Sequence, residues 1–252
     1  MNLPRRREII GTAVSITDYE EVLDAIDACV EADERTFVCC APASTLVFAR
    51  DDAKLAAALS DAGIVTPDGM GVVHAARLLG EELEDRVYGP DLMELQLARA
   101  SLAGTPAFFY GGHDDAALEQ LRAALAEQFP GLNFAGGISP PHRPPTEAEN
   151  AETAAAINAS GARIVWVGLG SPKQELWMHE NRARLDAPVL IGVGAAFDFL
   201  AGRTDQAPDW VQKRSLEWLY RIVKEPRRLL GRYLRTLPRF AALVLRQRLR
   251  GS

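Results

Sequence analysis

The sequence predicts an α/β protein: a mostly parallel sheet with helices on both faces, followed by a basic helical appendage. Three observations carry this. Short apolar runs rich in β-branched residues alternate with stretches of helical periodicity. Glycine and polar clusters stand at the ends of those runs, where the chain must turn. Near Gly202 the alternation stops and the chain becomes helical, aromatic and basic. The expected division is a sheet domain over 1–202 and an appendage over 203–252.

In order, "EIIGTAVSI" reads as a strand. Thr17 to Glu20 has capping-box spacing and opens a helix over "DYEEVLDAIDACVEA". "TFVCCA" is a short strand, and "STLVFARDDAKLAAALSDA" is helical. "GIVTPD" is a strand ending on polar residues, followed by the helix "MGVVHAARLLG". "GPDLMELQLARASLAG" opens with a turn and becomes helix. "PAFFYGG" is a strand running into paired glycines, and "DDAALEQLRAALAEQFP" is a helix stopped by Pro130. "LNFAGG" is a strand, "ISPPHRPP" a proline-rich loop. "EAENAETAAAINASG" is a helix with Gly161 suited to its C-terminal cap. "RIVWVGLG" is a strand, and "PVLIGVGAAFDFLAG" a last buried strand with a glycine-rich turn. No internal repeat interrupts the series.

The chain has 252 residues, 48% hydrophobic and 25% charged, as in a soluble globular protein with a substantial core. It has no run of 18 apolar residues, so no membrane-spanning helix is expected. "MNLPRRREIIG" has charge but not the apolar stretch of a leader. Cys29, Cys39 and Cys40 fit no metal spacing, and an odd count argues against a disulfide framework. The cytoplasm is the expected compartment. The net charge of -6 conceals an asymmetry: Trp210 to Ser252 carries 12 Lys+Arg against 2 Asp+Glu, leaving 16 against 32 for the rest. Such a tail suits an anionic partner, or else the chain's own acidic domain.

Ligands of open parallel sheets bind beyond the carboxyl ends of the strands. Four polar or glycine clusters fall at such ends here: "TPDGMG" (66–71), "YGG" with Gly111, "GLGSPKQE" from Gly168 through Gly170 to Glu175, and "GAAFD" with Asp198. In the third, Ser171 suits an N-cap, Pro172 the first helical position, and Gln174 completes a capping-box pattern. Free amides there attract anions, and Lys173 adds a charge. The motif grips a phosphate or only caps a helix; it is neither GxGxxG nor a Walker loop. Asp68 is a candidate general base or a helix cap. Asp91 and Asp198 could bind ligand hydroxyls or cap. His74, His113, His142 and His179 show no metal or catalytic spacing, and no Asp-x-Asp pair is present, so no metal site is expected.

In the tail, Trp210, Leu216, Trp218, Leu219 and Ile222, then Leu230, Leu234, Leu237, Ala241 and Val244, form an apolar stripe interrupted by Pro238, with arginines between. Such a helix can lie in an anionic membrane interface. The alternative is packing on the main domain or on a second subunit in a homo-oligomer. No nucleic-acid motif accompanies the charge, so nucleic acid is not an expected partner.

Together "TPDGMGVV", "VYGPDL", "VGLGSPKQELWM", "GVGAAFDFLAG" and "APDWVQKRSLEWLYRIVKEPRRLLGRYL" resemble, in content and order, the WecG/TagA/CpsF family of bacterial glycosyltransferases over nearly the whole chain. The resemblance implies a Rossmann-like sheet with a C-terminal helical appendage. It implies inverting, metal-independent transfer of a sugar from UDP to a polyprenyl-diphosphate-linked saccharide, without a cofactor, at the inner face of the cell membrane. The sugar would be of the N-acetylmannosamine type, its uronate, or a hexose, and the product a cell-surface polysaccharide. Asp68 matches the family's proposed base. Asp91, Gly111, Gly168, Gly170, Lys173, Gln174, Glu175 and Asp198 fall where the UDP-sugar pocket is expected. Arg214, Arg221, Arg227 and Arg232 fall in the part expected to meet the lipid pyrophosphate.

Two departures stand out. Cys40 and Pro42 occupy positions where the family usually carries Thr-x-Asn, and proline offers neither an amide side chain nor a backbone N–H. In "FAGGISPP" the aromatic residue that often precedes the proline pair is missing. A non-catalytic nucleotide-sugar-binding protein, docked on a membrane or partner, is the alternative these departures support. A dinucleotide dehydrogenase would need a glycine fingerprint that is absent.

Overall fold

The computed structural model describes residues 3–141, 143–208, 211, 217–224 and 226–250. Its centre is a six-stranded parallel sheet in the order β4-β3-β8-β7-β5-β6, formed by β3 (Thr36–Ala41), β4 (Ile64–Pro67), β5 (Ala107–Gly111), β6 (Phe134–Ile138), β7 (Ile164–Gly168) and β8 (Val189–Gly192). Both faces are covered, which is why the central strands read as unbroken apolar runs. One face carries α1 (Tyr19–Ala32), α5 (Gly89–Ala103), α6 (Asp115–Gln128) and α9 (Ala196–Leu200). The other carries α2 (Ala43–Ala49), α3 (Ala53–Asp61), α4 (Met70–Leu78), α7 (Glu147–Ala159) and α8 (Lys173–Asn181). This is a doubly wound, Rossmann-like architecture. The tail forms α10 (Glu217–Lys224) and α11 (Pro226–Arg250).

Four local expectations are corrected. "EIIGTAVSI" is not one strand but an antiparallel hairpin, β1 (Arg6–Ile9) and β2 (Thr12–Ser15). Ile10 and Gly11 both take positive φ, 45° and 85°, as a two-residue primed turn requires. A β-branched residue rarely adopts that conformation, and no local signal announces it. Helix α1 is capped by Asp18, whose carboxylate accepts from Glu21 N at 2.9 Å, so the Thr17–Glu20 box does not form. The stretch after β3 is two helices, because Asp52 accepts from Lys54 N and Leu55 N and restarts the chain as α3. Pro238 does not interrupt the tail stripe. It lies inside α11, exposed, while Phe240 and Val244 beyond it are buried in the core. An interior proline costs about 3 kcal/mol, and burying these two side chains offsets a cost of that size.

Helix α11 is fastened to the body along its length. Arg239 makes a two-pronged ion pair with Asp51, just beyond α2. At the far end the Gln247 amide donates to Glu8 O at 2.8 Å and accepts from Ile10 N at 2.7 Å, bracing the hairpin turn.

The connections set the position of the site. From β5 the chain leaves over one face through α6 to the edge strand β6. From the adjacent β7 it leaves over the opposite face through α8 to β8. Beyond the paired carboxyl ends of β5 and β7 the connections therefore diverge to opposite faces and leave a crevice, the topological switch point where open α/β sheets bind ligands.

Candidate active site

Two glycines form the crevice floor. Gly111 pairs with Gly168 across β5 and β7, and a Cβ on Gly111 would stand 2.8 Å from the Gly168 backbone. A Cβ on Gly168 would strike the Phe197 ring at 2.8 Å. The strand ends can close up here, with backbone exposed between them, because neither residue has a side chain. Beside the crevice a cavity of about 340 Å³ opens between Tyr110, Ile138, Ser139 and Glu152.

The loop after β7 holds the most densely bonded part of the site. Gly170, with φ 74°, turns the chain toward α8, and its carbonyl accepts from Gln174 N at 3.1 Å. The expected capping box at Ser171 is not formed: the cap position falls to Pro172, and the two side chains are engaged elsewhere. The Ser171 hydroxyl shares a 2.7 Å hydrogen bond with that of Thr45 in α2. The Gln174 carbonyl oxygen accepts from Gly194 N at 2.9 Å, tying the loop after β8 to the start of α8. Lys173 opens α8 with its side chain exposed. Glu175, beside it, is fully buried, and burial pushes its carboxyl up to about 7.

Asp68 follows β4. The cap position of α4 falls to Gly69, with φ 112°, leaving Asp68 half-buried one residue ahead of the cap. It lies close enough to Cys40 on neighbouring β3 for its charge to be felt there. Burial, reinforced by Asp68, drives that thiol far above its ordinary value, so Cys40 is a neutral, inert floor residue. Pro42 begins the turn into α2, and Ser44 just after it accepts from Arg232 Nη2 of α11 at 2.8 Å.

Asp91 is drawn to the same edge. Val87 N bonds Pro67 O at 3.2 Å, and Thr66 Oγ1 donates to Val87 O at 3.0 Å, stitching the segment before α5 to the end of β4. A Cβ on Gly89 would touch Val193 and Cys40 at 3.4 and 3.5 Å, so the Gly-Pro-Asp turn lies directly on the ends of β8 and β3. Asp91 does not occupy the cap position, which is Tyr88. Its carboxylate accepts from Tyr19 Oη at 3.0 Å, and Tyr19 Oη accepts from Tyr88 N at 3.1 Å. Burial raises Asp91 above its usual range, against the Tyr19 hydrogen bond and the charge of Arg86. Arg86 is only 8% exposed, with its guanidinium 4.5 Å from the centre of the Tyr88 ring. Asp198 lies in the first turn of α9 and faces Arg203 at 3.7 Å.

The structure thus gathers Asp68, Asp91, Gly111, Gly168, Gly170, Gln174, Glu175, Asp198 and Arg232 along one sheet edge. Lys173 stands at that edge with its side chain exposed. Arg221 and Arg227 belong to α10 and α11, while Arg214, Trp210, Leu216 and His142 lie outside the described residues. Sequence reasoning missed Arg86, Tyr19, Ser44 and Thr45. Arg86 abuts a recognised motif and could have been found there; the others read as ordinary helix residues. Among the described residues, no group of three or more His, Cys, Asp or Glu side chains could hold a metal ion. None of the described helices is long and apolar enough to cross a membrane.

The family model for the glycosyl transferase WecG/TagA/CpsF family matches residues 7–252. The chain belongs to this family. It is a glycosyltransferase of the family by sequence. A curated relative from Bacillus spizizenii is 33% identical over 190 residues, covering 75% of this chain and 71% of its own length. That relative is an N-acetylglucosaminyldiphosphoundecaprenol N-acetyl-beta-D-mannosaminyltransferase.

Proposed function

We propose that this glycosyltransferase moves a sugar of the N-acetylmannosamine type, its uronate or a hexose, from UDP to a polyprenyl-diphosphate-linked saccharide, with inversion and without a metal, in the synthesis of a cell-surface polysaccharide. The observation that supports this reading is the placement of a half-buried carboxylate, Asp68, and of the α8 start with its exposed Lys173 at the carboxyl ends of strands of the same parallel sheet. An inverting transfer is a single in-line displacement. The acceptor hydroxyl attacks the anomeric carbon from the side opposite UDP, its proton passes to Asp68, and the glycosyl–phosphate bond breaks with its electron pair on UDP. The departing diphosphate is met by the positive end of α8, Lys173, and arginines including Arg232. Asp91 and Asp198 present carboxylate oxygens for the polar edges of the donor, while the buried Gln174 amide holds the loop after β8 in place beside it.

The acceptor is a lipid, so the reaction takes place at the inner membrane surface. The exposed leucines of α11, Leu230, Leu234, Leu245 and Leu249, on a helix rich in arginine, suit an anionic interface. The segment 203–252 acts in this reading as the acceptor-side appendage. An Asp68→Asn variant should bind UDP and lose at least about a hundredfold in turnover, the span of general-base catalysis. Near-normal turnover would remove Asp68 from the role of base. Cys40 and Pro42 favour one second reading, a non-catalytic nucleotide-sugar-binding protein. Binding without UDP release across a broad panel of donors and lipid-diphosphate acceptors would select it.

A further inference from the structure

Glu175 stands apart from the other groups at this edge. It is 0% exposed, three residues past the last turn of the phosphate-side loop. Its Oε1 receives Gln174 Nε2 at 3.3 Å, a long bond, and its Oε2 is buried with no hydrogen-bond partner among the described residues. A carboxylate so placed would be poorly solvated by the protein. Two of its neighbours reach in different directions: Gln174 holds Gly194 N, and Ser171 holds Thr45. We propose that Glu175 is a positioning residue for the donor's diphosphate: its buried carboxyl, as the neutral acid, orders Gln174 and Ser171 at the start of α8, and donor binding holds its proton in place. This rests on the UDP-sugar reading above.

The charged and titratable groups facing Glu175 come from three elements. Cys39 and Cys40 face it from β3, and Arg232 from α11, while Ser171 and Gln174 belong to its own loop and helix. Both thiols are pushed up by burial and stay neutral. Burial outweighs the donors of Glu175's own backbone N–H, Ser171 and Gln174 and the charge of Arg232, lifting the carboxyl to about 7. An ionised Glu175 would place a negative charge at the positive end of α8, beside Lys173, where the diphosphate is read to sit; the acid places none. The sign follows. Below about 7 the proton is already present and donor affinity is full. Above it the bound anion favours the acid, binding takes up a proton from solvent, and affinity falls as pH rises.

The test uses the full chain and UDP-N-acetylmannosamine, measured by calorimetry across the neutral and alkaline range. The expected result is affinity that weakens above about pH 7, approaching tenfold per pH unit, with net proton uptake seen by comparing two buffers of different ionisation heat. Glu175→Gln, a neutral acid mimic, should bind with little pH dependence and, near pH 8.5, on the order of tenfold more tightly than the native chain. His113→Asn, which alters the imidazole in the loop after β5, should keep the native slope. A flat native profile, a Gln variant that keeps the slope, or a His113 variant that abolishes it would each overturn the proposal. A ligand-free readout separates it from the donor reading: below about pH 7 the native protein should show an infrared band of a buried carboxylic acid that Glu175→Gln lacks. Absence of that band overturns the buried acid itself. A band present without UDP-sugar binding at any pH would sink the donor reading and the coupling built on it, and leave the buried acid standing.

Discussion

Gly111 and Gly168 are the residues on which the shape of the crevice turns. Only hydrogen atoms separate the two strand ends, and a Gly111 Cβ would stand 2.8 Å from the neighbouring backbone at φ 149°. Gly111→Ala should therefore cost about 1–3 kcal/mol, the usual penalty of overpacking, and weaken donor binding; thermal unfolding and a binding isotherm check both. At Asp91 the hydroxyl of Tyr19 works against the burial that raises the carboxyl. Removing it in Tyr19→Phe raises Asp91 further, so the acidic limb of the activity profile should move to higher pH. A limb that stays in place, or moves to lower pH, would mean that ionised Asp91 is not needed. Asp91 could be picked out of "VYGPDL" by residue type and turn chemistry. Tyr19 could not, because its contact spans 72 positions and nothing near it in sequence marks that pairing.

Among the elements, α8 and α11 show how a correct periodicity can hide a different use. The Ser171–Gln174 spacing fits a cap, yet both side chains are taken by partners far along the chain, Thr45 and Gly194. In α11 the exposed pairs Leu230 and Leu234, then Leu245 and Leu249, leave an apolar line beside basic side chains. Replacing Leu230 and Leu234 together by Glu should lower cosedimentation with anionic vesicles by tenfold or more, since each buried leucine contributes roughly 1.5–3 kcal/mol. Unchanged sedimentation would remove the membrane role. Pro238 read as a break because propensity treats the helix in isolation. Packing of Phe240 and Val244 decides otherwise.

At the scale of the whole molecule the first and last elements lock each other. Gln247 satisfies Glu8 O and Ile10 N, 239 and 237 positions away, and holds Ile10 in its positive-φ turn. Gln247→Ala should lower stability by about 1–3 kcal/mol, because it strands the Ile10 amide; a denaturant titration measures it. Phe240 and Val244 cover the core cluster on the α2 and α8 face. Deleting 203–252 would strip that cover, and point substitutions are therefore the cleaner probe of the tail.

The sequence by itself determined the alternation of strand and helix, the acidic body and basic tail, and the clusters at the strand ends. These are written in local periodicity, composition and turn chemistry, which act over a few residues. Only the tertiary structure decided the hairpin turn at Ile10, the continuity of α11 through Pro238, and the linkage of Tyr19, Thr45 and Arg232 to the site edge. It alone buried Glu175 with an oxygen that has no hydrogen-bond partner among the described residues. Each of these depends on groups brought together from distant parts of the chain, where burial and long-range hydrogen bonds outweigh local preference.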